Sequence, residues 1–416
     1  MNIAILGAGI IGVATAYELA FDGHQVTVFE RHASVAEGAS FANAGVLAPG
    51  YVTPLAAPGM PAKVLRYLLA RHAPVRVARP LAAADVAWMA RWLRACDAGA
   101  YSANRARLQR LAFYSRQRLH QVAERMDYSF ERSTGYMVLL RGERERQLVQ
   151  PGLAVLREAG VVFHEVDGAQ ARAIEPALHP ATPLLGAIHL PQDEVGNCRQ
   201  FAVILRDAAE TLGARFRFGT AVQPLDAAAP TTVRPLGTTP EERFDAVVVC
   251  AGVQSPALLA PLGLRIPLRP VYGYSVSAPM PDLAHGPRSG VMDERYKVAI
   301  SRLGQRVRVA GSAEIGGRPD AINQRAVQTL YKVLDDWFPG AARRSGGVQV
   351  WKGARPMLPD GPPVLGASGV PGVWLNLGHG SSGWALSCGS ARVLADQVAG
   401  REPEIDTEGC GVARYR

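Results

Sequence analysis

The chain has 416 residues, 48% of them hydrophobic and 43 of them glycine, which is enough for two hydrophobic cores and too apolar for a disordered chain. Five widely spaced cysteines (Cys96, Cys198, Cys250, Cys388, Cys410) form no C-x-x-C pair, which argues against a disulfide framework or a zinc site and fits a reducing, cytoplasmic setting. The net charge is +9, but arginine far outweighs four lysines (Lys63, Lys297, Lys332, Lys352); this reads as codon bias, and with no nucleic-acid motif present, nucleic acid is not an expected partner.

The sequence starts directly on a strand-like run, without the charged start or cleavage site of a signal peptide. No segment approaches the roughly 20 apolar residues of a membrane span. A chain that is neither exported nor membrane-spanning is therefore expected.

Asn2 to Leu6 is apolar and ends at Gly7. From Gly12 onward Val13, Ala16, Tyr17 and Ala20 recur at helical spacing, and Gln25 to Phe29 reads as a second strand. Between strand and helix lie Gly7, Ala8, Gly9, Ile10, Ile11 and Gly12, the G-x-G-x-x-G pattern in a strand–turn–helix setting. Gly7 allows the tight turn, Gly9 lets a pyrophosphate approach the backbone, and Gly12 lets helix and strand pack closely. The free N–H groups at the helix start face the phosphate charge. Glu30 follows 18 residues after Gly12, placed to accept from a ribose 2′-hydroxyl. The ligand is a dinucleotide, NAD or FAD.

Ser34 to Tyr51 is a loop of small residues where a simple nicotinamide dehydrogenase would continue with another helix and strand. Ser40, Asn43, Ala44 and Gly45 can offer hydroxyl, amide and backbone groups to a second side of the pyrophosphate and to a ribityl chain. "LAAADVAWMARWLRACD" and "RLQRLAFYSRQRLHQVAER" then read as helices, and "GAIHLPQDEVGNCRQFAVILRDAAETLGARFRFGT" as a strand, a loop, a helix and a strand. "FDAVVVCAG" is an apolar strand running into Ala251 and Gly252. Near the end, Gly378 to Gly383 is a glycine-rich turn feeding a helix that carries Leu386, Val393 and Leu394.

Taken together, "GHQVTVFER", "ANAGVLAPGY", "LPQDEVGNC", "DERYKVAISR", "GARPMLPDGPPVLG" and "LNLGHGSSGWALSCGS" resemble the amino-acid-oxidizing flavoprotein family of D-amino acid oxidase, glycine oxidase and sarcosine oxidase. The bacterial D-amino acid dehydrogenase branch is the most similar. The resemblance runs over nearly the whole chain and makes FAD the expected cofactor. It implies an α/β (α+β two-domain) fold with a discontinuous Rossmann-like FAD-binding domain over 1–88, 187–266 and 350–416. A substrate domain over 89–186 and 267–349 would be built on a mainly antiparallel sheet plus helices.

The resemblance also implies site roles. Arg355, in the Gly353 to Pro356 segment, would clamp a substrate carboxylate over the flavin; guanidinium suits this because it is planar, always charged and forms two parallel hydrogen bonds. Its competing role is an ion pair with an acidic neighbour such as Asp360. Tyr296, expected on a strand, would add a hydroxyl to the carboxylate. Tyr272 stands where relatives commonly carry lysine before glycine, and Tyr272 and Tyr274 are expected to line the pocket. Gly378, Gly380, Ser381, Ser382 and Gly383 would bring a helix N-terminus to the flavin, where negative charge gathers on reduction. His379 would touch flavin or substrate, or face solvent. Arg31, Val222, Ala251 and Gly252 complete the expected cofactor contacts.

The implied reaction is oxidative deamination of a small D-amino acid: hydride moves from Cα to flavin N5, and the imine hydrolyses to a 2-oxo acid and ammonia. The electrons would pass to a quinone or respiratory-chain acceptor. Residues 61–80 interleave Leu65, Leu68, Leu69, Val75 and Val77 with Lys63, Arg66, Arg71, Arg76 and Arg79 and contain no acid. This surface can rest peripherally on an anionic inner leaflet, or pack on the protein's own body. Rival readings are a D-proline or hydroxyproline dehydrogenase, a glycine or sarcosine oxidase using oxygen, an NAD-linked dehydrogenase, and a flavin-bearing electron-relay subunit.

Overall fold

The computed structural model describes residues 1–67, 70, 72–126, 128–237 and 240–415. Leu68, Leu69 and Arg71, part of the expected membrane-facing stretch, lie outside them.

Two sheets organise the chain. The first has six strands in the order Val364–Ala367, Val373–Leu377, Ala246–Val249, Asn2–Leu6, Gln25–Phe29 and Arg215–Arg217. All its pairs are parallel except the edge pair of Val364–Ala367 with Val373–Leu377. The central strands are unbroken apolar runs because both their faces are covered. Helices Ile10–Phe21, Cys198–Thr211 and Gly383–Val398 pack over one face, while Leu225, Leu258, Leu264 and Leu358 belong to the core under the other.

The second sheet has ten strands. Its main path runs Gln349–Met357, Arg269–Pro279, Arg306–Gly316, Val298–Leu303, Gly290–Asp293, Ser133–Leu140, Gly186–Val195 and Val46–Leu47, with Val75–Ala78 and His164–Asp167 added at the side. Antiparallel pairing predominates, as expected. Helix Gln324–Trp337 covers the face carrying Tyr274, Val276 and Ala278.

The observed pairing departs from the expected segmentation at four strands. Val46–Leu47 and Val75–Ala78 fall inside the ranges given to the cofactor domain, as do Gly186–Val195 and Gln349–Met357 apart from their first residues, yet all four pair in the ten-stranded sheet. Helix Ala98–Met126 departs in the other direction. It was expected with the substrate domain, but Leu108, Leu111, Ala112, Leu119 and Val122 are buried against the helices of the parallel sheet. Charge locks it there. Glu18 accepts from Arg118 Nε and Nη2 at 2.7 Å and from Arg392 Nη1 at 2.8 Å, and Arg392 also holds Asp22 and Asp396. Removing one member of so buried a network strands its partners, at about 3–5 kcal/mol.

Residues 61–80 do not form one continuous element. Helix Met60–Tyr67 buries none of its residues, and Leu65 is 67% exposed. Val75–Ala78 instead pairs with the Ala313–Gly316 stretch, with Val75 buried. Among the described residues, no helix is long and apolar enough to cross a membrane.

Candidate active site

One cavity of about 1290 Å³ is lined from both sheets. At its first end is the glycine turn. Gly7 adopts φ +102°, and a Cβ there would stand 2.8 Å from the Cys250 carbonyl oxygen. A Cβ on Gly12 would lie 1.9 Å from the carbonyl oxygen of Gly7, so helix and strand meet backbone to backbone. Gly9 has only Ser40 Oγ within reach, at 3.6 Å, and opens into the cavity.

Helix Ile10–Phe21 starts at Gly9 with no side-chain cap and no acid in its first turn, which leaves donors and a positive dipole end for an anion. Ser40 Oγ accepts from Ile10 N at 3.1 Å. Glu30 accepts from the backbone N–H groups of Ala8 at 2.7 Å and His32 at 2.9 Å, so its carboxylate is fixed at the cavity edge. Ala8 and Gly12 shape the turn without lining the cavity; Gly7, Gly9, Ile10, Ile11, Glu30 and Arg31 line it.

The 40–45 loop is held from the other sheet. Arg308 Nη1 donates to the Asn43 carbonyl at 3.2 Å and Ser301 Oγ to the Ala44 carbonyl at 2.8 Å. Asn43 Oδ1 accepts from Gly45 N at 2.9 Å. Ser40, Asn43, Ala44, Gly45, Val222, Ala251 and Gly252 all line the cavity.

A second helix, Gly383–Val398, also starts uncapped and without an acid in its first turn. Gly380, Ser381, Ser382 and Gly383 line the cavity, but Gly378 does not. At φ +81° it makes the turn, and a Cβ there would meet Leu358 at 2.3 Å. His379 faces the cavity rather than solvent and is 3% exposed; burial lowers its pKa to about 3. Ser390 spends its hydroxyl proton on the Ser387 carbonyl at 3.1 Å, so His379 Nε2 donates to Ser390 Oγ at 3.1 Å and Nδ1 is the acceptor. This imidazole is neutral at working pH.

Arg355 projects into the cavity from strand Gln349–Met357. Its one hydrogen bond among the described residues runs from Nη1 to the Ser312 carbonyl at 2.7 Å. Asp360, the expected alternative partner, is instead taken by Arg414 Nε at 3.0 Å and by the Tyr415 hydroxyl. No carboxylate balances Arg355 among the described residues, and burial lowers its pKa to about 10. A fixed cation with unused donors in a cavity is a receptor for an anion.

Tyr296 lines the same cavity, but from the turn between Gly290–Asp293 and Val298–Leu303 rather than from a strand. Its N–H donates to Asp293 Oδ1 at 3.1 Å, and its ring lies 5.2 Å from both Arg141 Cζ and Lys332 Nζ. Tyr272 does not line the cavity. It stands opposite Ala354, and Val271 opposite Arg355, so strand alternation turns Tyr272 to the other face. There Lys352 Nζ sits 4.2 Å from its ring centroid. Tyr274 touches the cavity, but its hydroxyl donates to Glu314 at 2.8 Å and is not free for a ligand.

Ser312, Tyr51, Tyr136 and Trp384 also line the cavity and were not expected there. Strand register brings in Ser312 and Tyr136, which no local motif marks, while Tyr51 and Trp384 lie in the recognised stretches "ANAGVLAPGY" and "LNLGHGSSGWALSCGS" without having been assigned a role. Ser312 Oγ and Trp384 Nε1 are buried with no partner among the described residues. Uncapped helix ends, a ribose-type carboxylate, a turn open at Gly9 and unused polar groups together fit a flavin dinucleotide.

Close by, Asp193 is almost fully buried, with Arg116 Nη1 at 3.3 Å. Burial raises its pKa from 3.8 to about 7. Between these values the folded chain keeps a proton that the unfolded chain has lost, so this group makes stability fall as pH rises through that window. Asp193→Asn is expected to raise Tm most at pH 7–8 and little near pH 4. Thermal melts across pH check this; a Tm gain independent of pH would contradict it.

Residues 2–397 match the family described as DAO, FAD dependent oxidoreductase. The chain belongs to this family. As a DAO family member it is an FAD-dependent oxidoreductase. It is 44% identical to a D-amino acid dehydrogenase of Cereibacter sphaeroides over 417 residues, covering 100% of this chain and 95% of the relative. It is 42% identical to one of Rhizorhabdus wittichii, covering 100% of both. Its fold is shared with glycine oxidase from Geobacillus kaustophilus, with TM-score 0.76, 22% identity and coverage of 100% and 99%. L-proline dehydrogenase from P. horikoshii shares it too, with TM-score 0.73, 16% identity and coverage of 100% and 97%.

Proposed function

We propose that this DAO family enzyme deaminates small D-amino acids oxidatively, giving a 2-oxo acid and ammonia. The observation that carries the reading is the Arg355 guanidinium, without a counter-carboxylate among the described residues, in the cavity that also holds the dinucleotide cradle. The full-length relatives named D-amino acid dehydrogenase support the choice of substrate.

Bound FAD supplies the two-electron acceptor. The chain's own residues do the positioning. Arg355 takes the substrate carboxylate on two N–H groups, and Tyr296 adds its hydroxyl from the opposite turn. The amine must be neutral to form the C=N bond, and His379, neutral with Nδ1 as acceptor, adds no charge that would oppose this. The substrate ammonium gives one proton to water before the hydride leaves, and the iminium that results is hydrolysed by a second water to the 2-oxo acid and ammonium.

For the acceptor we propose a quinone of the respiratory chain, reached by a peripheral contact of helix Met60–Tyr67 with the membrane face. Its unburied residues, with Leu65 exposed beside Lys63 and Arg66, support that contact.

Anaerobic mixing with D-alanine is expected to bleach the bound flavin, and L-alanine to leave it yellow. Bleaching by glycine, sarcosine or D-proline alone would move the assignment to those amines, and no bleaching by any amino acid would leave an electron-relay role. Rapid reoxidation by a soluble quinone but not by air checks the acceptor.

A further inference from the structure

The guanidinium of Arg355 lies over the bare backbone of Gly273. A Cβ built there would stand 2.3 Å from Nη2, 2.4 Å from Cζ and 2.7 Å from Nη1. A side chain at 273 would therefore occupy the volume that the guanidinium fills.

The strand on the other side of Gly273 breaks its ladder at the same level. Tyr272 pairs with Glu314 and Tyr274 with Gly311, so Gly273 faces both Ser312 and Ala313 across a β-bulge. Ser312 takes φ +63°, a left-handed conformation unfavourable for any residue with a Cβ. No side-chain hydrogen bond repays that strain, because its Oγ is buried and has no partner among the described residues. Its backbone does have a partner: the carbonyl oxygen accepts from Arg355 Nη1 at 2.7 Å.

We propose that Gly273 and Ser312 form a seat that fixes the Arg355 guanidinium toward the cavity, which makes both of them positioning residues for substrate capture. This rests on Arg355 being the carboxylate clamp. Arginine carries five N–H donors and many rotamers. One backbone acceptor and one missing Cβ select a single orientation and leave the remaining donors for the substrate. Preorganisation of this kind lowers the cost of binding.

The test is Gly273→Ala in the FAD-loaded enzyme. The added methyl meets the mobile end of a side chain, so the fold yields by turning the guanidinium aside. FAD content and Tm should stay as in the parent. KM for D-alanine should rise roughly ten- to a hundredfold and kcat should fall less, the scale expected when a positioning contact shifts by about 1 Å. The rise in Tm that saturating acetate gives the parent should disappear in the variant, a readout that needs no turnover. In an Arg355→Ala background, Gly273→Ala should add nothing.

If Gly273→Ala keeps its KM and its acetate response while Arg355→Ala loses both, the seat is overturned and the clamp stands. If Arg355→Ala also keeps both, the clamp itself fails. A double variant worse than Arg355→Ala alone would show that Gly273 acts through the fold, and would equally overturn the seat.

Discussion

Arg355→Ala should yield a yellow, folded protein that has lost roughly 30- to 5,000-fold in kcat/KM for D-alanine, the equivalent of about 2–5 kcal/mol for one partner of a desolvated charge pair. Part of this is lost attraction and part is lost aim, since a carboxylate held on two parallel N–H groups also fixes the rest of the molecule. Arg355→Lys should recover some binding but little alignment, because an ammonium keeps the charge without the planar fork. Stability should move the other way. The guanidinium has no counter-carboxylate among the described residues and burial depresses its pKa to about 10, so its removal relieves a desolvation cost. The ligand-free alanine variant should melt at the parent's temperature or above it. Steady-state kinetics and thermal melts on one preparation check both halves; parental kcat/KM in the alanine variant would remove Arg355 from the site.

Gly12→Ala should purify as colourless, destabilised protein. The new methyl would sit 1.9 Å from the Gly7 carbonyl oxygen, and neither the strand nor the helix backbone can step aside singly. The helix must back away from the strand, which withdraws its N-terminus from the phosphates, and the packing loss is about 3 kcal/mol or more. Gly9→Ala separates the two effects. Its methyl meets only Ser40 Oγ, at 3.6 Å, so the apoprotein should melt normally while the methyl intrudes where a phosphate must approach. Flavin absorbance relative to protein, with the apoprotein melting temperature, measures both. A yellow and stable Gly12→Ala protein would refute the close-packing account.

What the sequence made legible was local. The turn from Gly7 to Gly12 and the carboxylate of Glu30 lie within one strand–helix–strand unit, so spacing alone states their geometry. Arg355 was legible as a cation in a recurring segment, but its freedom from Asp360 depends on Arg414 and Tyr415, which arrive from the far end of the chain. Tyr272 went the other way. Its distance from Gly273 and Arg355 in sequence says nothing about which face of the sheet it occupies, and that face is set by pairing register across three strands. Ser312 carried no signal at all, since a serine in a strand does not advertise a left-handed backbone. Helix Ala98–Met126 was readable as a helix; its docking on the parallel sheet was not, because the decisive contacts run from Arg118 to Glu18, on a helix about 100 residues earlier in the chain.

That same ionic knot has a wider meaning. Glu18 and Asp22 stand at the rear of helix Ile10–Phe21, and Arg392 and Asp396 near the rear of helix Gly383–Val398, while the front ends of both helices meet the cavity. The ion pairs therefore join the two helices behind the ends that line the cavity. Two helix ends tied together behind the cavity would offer an incoming dinucleotide a spacing set by the chain itself.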